Sequence, residues 1–190
     1  DPKMVAYLTQ TTLSVDDAEA IIGEIRKRFP EVKAPPKDDI CYATTNRQHA
    51  VRELAPECDL VLVIGSKHSS NSNRLVEIAE SSGCCACLID DESDISPAWF
   101  ETVETVLVTA GASAPEELVA RVCKWVVERF GATIELRDIT EERVEFDIPG
   151  NLKKIMRAQG IDPAERRVRI EPPNITEEIY GATALTVGKT

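Results

Sequence analysis

Apolar and polar positions alternate along this chain in short blocks, some continuous and some spaced by three and four. Met4 to Thr9 predicts a strand. Ser14-x-x-Asp17 then predicts a helix with Ala18, Ile21, Ile22 and Ile25 as its buried stripe, ending at Phe29-Pro30. Residues 31–40, EVKAPPKDDI, read as a linker. A helix from Thr44 directs Ala50, Val51 and Leu54 inward and precedes Leu60 to Ile64, whose unbroken apolar run is the pattern of a strand covered on both faces. Asn71 or Ser72 begins the next helix, Cys85 to Ile89 forms a strand, Pro97 to Val103 a short helix, and Thr105 to Thr109 another strand. Ser113-x-x-Glu116 with Pro115 opens a long helix that stops at Gly131. Strands alternating with helices predict an α/β fold on a parallel sheet, doubly wound, with ligands at the carboxyl ends of the strands.

After Gly131 the pattern weakens. Ala132 to Leu136 and Val144 to Ile148 are candidate strands, and Leu152 to Ala158 a short basic helix. From Gly160 the chain carries Pro163, Pro172 and Pro173 among charged residues with little apolar periodicity, so residues 150–190 read as an appended tail.

Three of the predicted strands run into loops of small and hydroxyl residues: MVAYLT into QTTLS, LVLVIG into SKHSSNSN, and TVLVTA into GASAP. Such a loop aims backbone N–H groups, hydroxyls and the positive end of a helix dipole at one place, which holds a small anion without a cationic pocket. The formal charge of −11 makes this pattern more telling, because the net field repels phosphate. The same charge argues against a nucleic-acid or anionic-membrane surface. Hydrophobic content of 43% is that of a globular chain, and no run of about 18 apolar residues is present. The expectation is a cytoplasmic protein. No start methionine precedes the first strand, so the chain is expected to be the later part of a longer polypeptide.

Six cysteines without a secretory pattern are expected as reduced thiols. Cys85 and Cys87 share one face of a short strand and Cys84 the other, so the three cannot converge on a metal and read as small buried hydrophobes. Cys58 and Cys123 read as packing residues. Cys41 follows a polar turn and precedes a helix, a position that suits a nucleophile or metal ligand as readily as a plain partly buried cysteine. Alone it cannot hold a cluster.

The strings Thr9-Gln10-Thr11-Thr12-Leu13-Ser14, Asp38-Asp39-Ile40-Cys41-Tyr42-Ala43-Thr44-Thr45-Asn46-Arg47-Gln48, Gly65-Ser66-Lys67-His68-Ser69-Ser70-Asn71-Ser72-Asn73-Arg74-Leu75 and Val108-Thr109-Ala110-Gly111-Ala112-Ser113-Ala114-Pro115 resemble those of LytB-type 4-hydroxy-3-methylbut-2-enyl diphosphate reductases. The resemblance covers residues 4 to about 148. It implies α/β sandwich units in a three-domain, pseudo-threefold arrangement around a 4Fe–4S cluster to which each domain gives one cysteine. Residues 1–37 would be the end of the second domain, 38–131 the third, and 132–149 a C-terminal family segment. Cys41 would be the third cluster ligand. The implied reaction is reductive removal of the substrate's hydroxyl as water, giving isopentenyl and dimethylallyl diphosphate, with electrons from reduced ferredoxin or flavodoxin. By the same resemblance Ser69, Ser70, Asn71 and Ser113 would bind the diphosphate, and Thr11 would lie near the hydroxyl end as a catalytic group.

The departures are equally specific. The family's N-terminal portion, with two further cluster cysteines, substrate-contacting histidines and a proton-delivering glutamate, has no counterpart here. His68 stands where the family usually has asparagine, and His49 reads as a surface residue. The chain is therefore expected to be a fragment, inactive alone. Two other classes stay open: a non-catalytic diphosphate-binding α/β module, and a purely structural reading in which the hydroxyl residues only cap helices. Neither GxGxxG nor GxxxxGK[ST] follows a strand, so standard dinucleotide and P-loop sites are unsupported.

Overall fold

The computed structural model describes residues 4–35, 39–137, 139 and 148–163. At the centre is β1, Leu60–Ile64, buried at every position. It pairs in parallel with β2, Cys85–Ile89, on one side and with β3, Val106–Ala110, on the other, giving the order β2-β1-β3. Alternate side chains of β1 fill two cores. Val61 and Val63 pack with Val51, Leu75, Ile78 and Ala79, beneath helices α2 (Tyr42–Leu54) and α3 (Ser70–Ser81). Leu60, Leu62 and Ile64 pack with Val122 and Val126 of α4, Glu116–Phe130. Helices therefore cover both faces of a parallel sheet, as the apolar run of β1 requires. Phe100, Trp125 and Phe130 close the α4 side, with the rings of Phe100 and Phe130 stacked at 4.4 Å. Gly131, at φ 65°, adopts the left-handed turn that ends α4.

The sequence reading needs correction at several places. Met4 to Thr9 is not a strand. Its pairing is a single parallel bridge from Ala6 to Lys33, with the Tyr7 N–H donating to Lys33 O (3.2 Å) and the Lys33 N–H to Val5 O (3.0 Å). The partner segment lies between Pro30 and Pro35, too short a stretch for a ladder. In α1, Val15–Arg28, only Ala18 of the expected stripe is buried; Ile22 and Ile25 are half-buried and Ile21 is exposed. Ala132 to Leu136 is irregular, because its alternation meets no neighbouring strand among the described residues. Cys85 is exposed rather than buried, since it opens an edge strand. Ser113 does not cap α4: Pro115 holds the cap position, without a side-chain bond. The segment expected as a strand at 144–148 lies outside the described residues except for Ile148, as does the tail after Pro163. The basic helix is present as α5, Gly150–Ala158.

Ser14 behaves as its pattern predicts. Its buried hydroxyl accepts the Asp17 N–H at 3.2 Å. Ser14→Ala is expected to lower unfolding stability by about 1 kcal/mol, the usual worth of an N-cap, and chemical denaturation measures it. An unchanged midpoint would mean that α1 is held by its other contacts alone. Those include Arg52 to Asp16 (2.5 Å) and Arg74 to Asp17 (3.1 Å), exposed pairs that each contribute about 0–1 kcal/mol.

Candidate functional site

β1 and β3 end side by side, and the chain leaves them in opposite senses: β1 leads through α3 to β2 on one side, while β3 lies on the other. That is the switch point where open parallel sheets bind ligands. Gly65 follows β1 and Gly111 follows β3. The Gly111 N–H donates to Ile64 O and the Gly65 N–H to Ile89 O, both at 2.9 Å, so the three strand ends form one floor. A Cβ on either glycine would overlap the Ser72 hydroxyl, which explains why neither position carries a side chain. Ser72 is buried at the start of α3, and its hydroxyl donates to Ser69 Oγ at 3.1 Å.

Ser69 is the N-cap of α3, its Oγ also accepting the Ser72 N–H at 3.3 Å. With two bonds accepted, the Ser69 hydroxyl keeps its own proton to donate. Ser70 is exposed as the first residue of the helix. Asn71 differs from both. It is 5% exposed, its Nδ2 lies 3.7 Å from the place of a Gly111 Cβ, and neither Oδ1 nor Nδ2 has a hydrogen-bond partner. A buried amide with both ends unpaired costs about 1–3 kcal/mol, a cost that an ordered water or a bound polar group would relieve. Ser113 stands exposed on the rim of the same floor, in the turn closed by the Ala114 N–H to Gly111 O (2.9 Å). The structure thus brings Ser69, Ser70 and Asn71 to the end of β1 and sets the Ser113 turn at the end of the adjacent β3.

Cys41 and Thr11 meet by backbone. The Cys41 N–H donates to Thr11 O at 3.1 Å, although thirty residues separate them. Cys41 is exposed at the N-cap of α2, its carbonyl accepting from Thr44 (2.9 Å) and Thr45 (3.0 Å) and its thiol taking no part in the cap. The thiol sits beside the positive end of a helix, a setting suited to an anionic ligand atom. Four of the other thiols are poorer ligands. Burial pushes the pKa values of Cys58, Cys84 and Cys87 up and that of Cys123 to about 11, and Cys84 Sγ is engaged with Cys58 O at 3.1 Å. Among the described residues no group of three His, Cys, Asp or Glu side chains could hold a metal. The donor chemistry of Cys41 fits one corner of an iron–sulfur cluster and no more.

Sequence reasoning missed four residues here. Asp39 accepts the Thr9 N–H at 2.9 Å; Arg47 Nε donates to Ala110 O at 3.1 Å; Gln48 is wholly buried; and Ser72 fills the glycine floor. His49 is exposed and pairs with Glu53, and His68 is exposed in the loop directly before Ser69.

The family model described as "LytB protein" matches residues 1–127. The chain belongs to the LytB family. A LytB relative from Bordetella pertussis, named 4-hydroxy-3-methylbut-2-enyl diphosphate reductase, is 52% identical over 163 residues, covering 85% of this chain and 50% of that protein. One of the same name from Actinobacillus succinogenes is 50% identical over 153 residues, covering 80% of this chain and 49% of its own. Among solved structures, that of the E-1-hydroxy-2-methyl-but-2-enyl-4-diphosphate reductase from Plasmodium falciparum superposes with a TM-score of 0.71 at 30% identity, over 82% of this chain and 49% of that one. The chain spans about half the length of the curated LytB relatives it matches. None of the helices among the described residues is long and apolar enough to cross a membrane.

Proposed function

We propose that this chain is the diphosphate-binding half, with one cluster ligand, of a cytoplasmic LytB reductase. The complete protein would reduce 4-hydroxy-3-methylbut-2-enyl diphosphate to isopentenyl and dimethylallyl diphosphate. The observation that carries this reading is the unpaired Asn71 amide, buried at the switch point between two hydroxyl-bearing loops. Family membership and the names of the relatives supply the reaction class. Residues 1–37 then close the second of three domains, 38–131 form the third, and 132–149 are a family segment; 150–190 carry no assigned role.

In this reading the Asn71 amide, the hydroxyls of Ser69, Ser70 and Ser113, and the dipole of α3 hold the diphosphate. Thr11, fixed to Cys41 through its carbonyl, would offer its hydroxyl to the other end of the substrate, where the C–O bond breaks. Cys41 would ligate a 4Fe–4S cluster, which when bound supplies two electrons from reduced ferredoxin or flavodoxin and a Lewis-acidic iron for the departing hydroxyl. With two protons the hydroxyl leaves as water. Holding the diphosphate and the reacting end in one frame gives the orientation such a step needs.

Calorimetry of the 190-residue chain with inorganic pyrophosphate tests the pocket, and absence of binding would reduce the loops to helix caps. Iron content of the complete protein separates reductase from diphosphate-binding module. The chain alone, reconstituted anaerobically, is expected to hold no stable cluster and to show no reductase activity, because one thiolate cannot replace three. A stoichiometric cluster seen by iron analysis and electron paramagnetic resonance on this chain would contradict that.

A further inference from the structure

We propose that Gln48 is a positioning residue that holds the Thr11 loop in register with Cys41; the proposal rests on the reading of Cys41 and Thr11 above. Gln48 lies on the inner stripe of α2, wholly buried, two turns from Cys41. Its Oε1 accepts the Val15 N–H at 3.0 Å and its Nε2 donates to Leu13 O at 2.8 Å. The carboxamide thus straddles Ser14, gripping one backbone donor and one acceptor of the turn that runs from Thr11 into α1. A carboxamide offers a donor and an acceptor side by side in one plane, so neither an aliphatic side chain nor a carboxylate can satisfy both groups.

The same helix bears Cys41 at its N-terminus, bonded to Thr11 O at 3.1 Å. Among the described hydrogen bonds it therefore meets this turn at Thr11 and again through Gln48, the buried contact. The exposed pairs Arg52–Asp16 and Arg74–Asp17 also reach α1 from the body of the fold, but solvent and salt screen them. Beside Gln48, Arg47 Nε donates to Ala110 O at 3.1 Å and Nη1 to Ala43 O at 3.1 Å, tying α2 to the end of β3. One helix thereby links the Thr11 turn, Cys41 and the strand end beside the diphosphate floor. Only the first of these links depends on Gln48.

Gln48→Glu is nearly isosteric but turns the donor to Leu13 O into a second acceptor. Amide hydrogen exchange on the 190-residue chain, at raised salt to weaken the ion pairs, is expected to show about tenfold or greater loss of protection at Val15 and Cys41, with β1 amides unchanged. Protonating the buried carboxyl restores an O–H donor, so protection relative to wild type at the same pH should return as pH falls. Gln48→Leu should lose protection at every pH. In the complete, cluster-loaded reductase Gln48→Glu should lower kcat with KM little changed, because the two hydrogen bonds of the Gln48 carboxamide go to the turn before α1 and not to the diphosphate floor. Protection lost equally at β1, or a Gln48→Glu defect with no pH dependence, would make Gln48 a stability residue only and overturn the proposal. So would a rise in KM at constant kcat. Wild-type chain that fails to bind pyrophosphate would sink the pocket reading instead, leaving the exchange pattern to judge the clamp.

Discussion

In the complete, cluster-loaded protein, Cys41→Ser is expected to remove the cluster and nearly all activity, whereas Cys85→Ala and Cys87→Ala keep both. Cys41 is exposed at a helix N-terminus with an uncommitted thiol, so serine there leaves the packing alone and takes away only the ligand atom. Cys85 is exposed on an edge strand, and Cys87 lies half-buried two residues on, its pKa raised by burial and by the neighbouring Cys85. Removing either sulfur costs at most a small cavity, on the order of 1 kcal/mol. Iron analysis and electron paramagnetic resonance on the three variants decide the matter, with thermal unfolding to show that each still folds. Equal iron loss in all three would mean that Cys41 is the wrong ligand. Iron retained in Cys41→Ser would exclude it outright.

The reason for the contrast between cysteines was partly legible in the sequence. Strand alternation already forbade Cys84, Cys85 and Cys87 from converging, and the turn before Cys41 marked it out. The central strand was legible for a different reason: five apolar residues in a row leave no polar face, and β1 is buried at each. Met4 to Thr9 and Ala132 to Leu136 carry strand-like patterns and still form no strand. A strand is a property of two segments, and pattern in one says nothing about the other. The polar core of α2 was hidden by the same kind of dependence. Thr44 and Gln48 occupy its buried stripe with Val51, yet read singly they belong on a surface. What permits Gln48 to be buried is a pair of backbone groups 33 and 35 residues away. The glycine floor is a further case. Gly65 and Gly111 look like ordinary loop residues until Ser72 is placed between them.

Asn71→Ala is expected to move binding and stability in opposite directions. An anion taken up at the floor would pair with the Asn71 amide, a hydrogen bond to a charged group worth about 1.5–3 kcal/mol, so its loss should raise the dissociation constant for the diphosphate substrate about ten- to a hundredfold. Cluster content of the complete protein should not change, because Asn71 lies at the start of α3 and Cys41 at the start of α2. Stability without ligand should hold or rise, since the substitution removes a buried amide whose two polar atoms have no partner, and that relief offsets the small cavity left behind. A residue whose work was structural would behave otherwise: its loss would lower the unfolding midpoint and leave affinity alone. Calorimetry with the diphosphate, set beside denaturant unfolding of the ligand-free chain, measures both. Unchanged affinity together with lost stability would show that Asn71 serves the fold, and the anion reading of the loop would have to rest on Ser69, Ser70 and Ser113 without it.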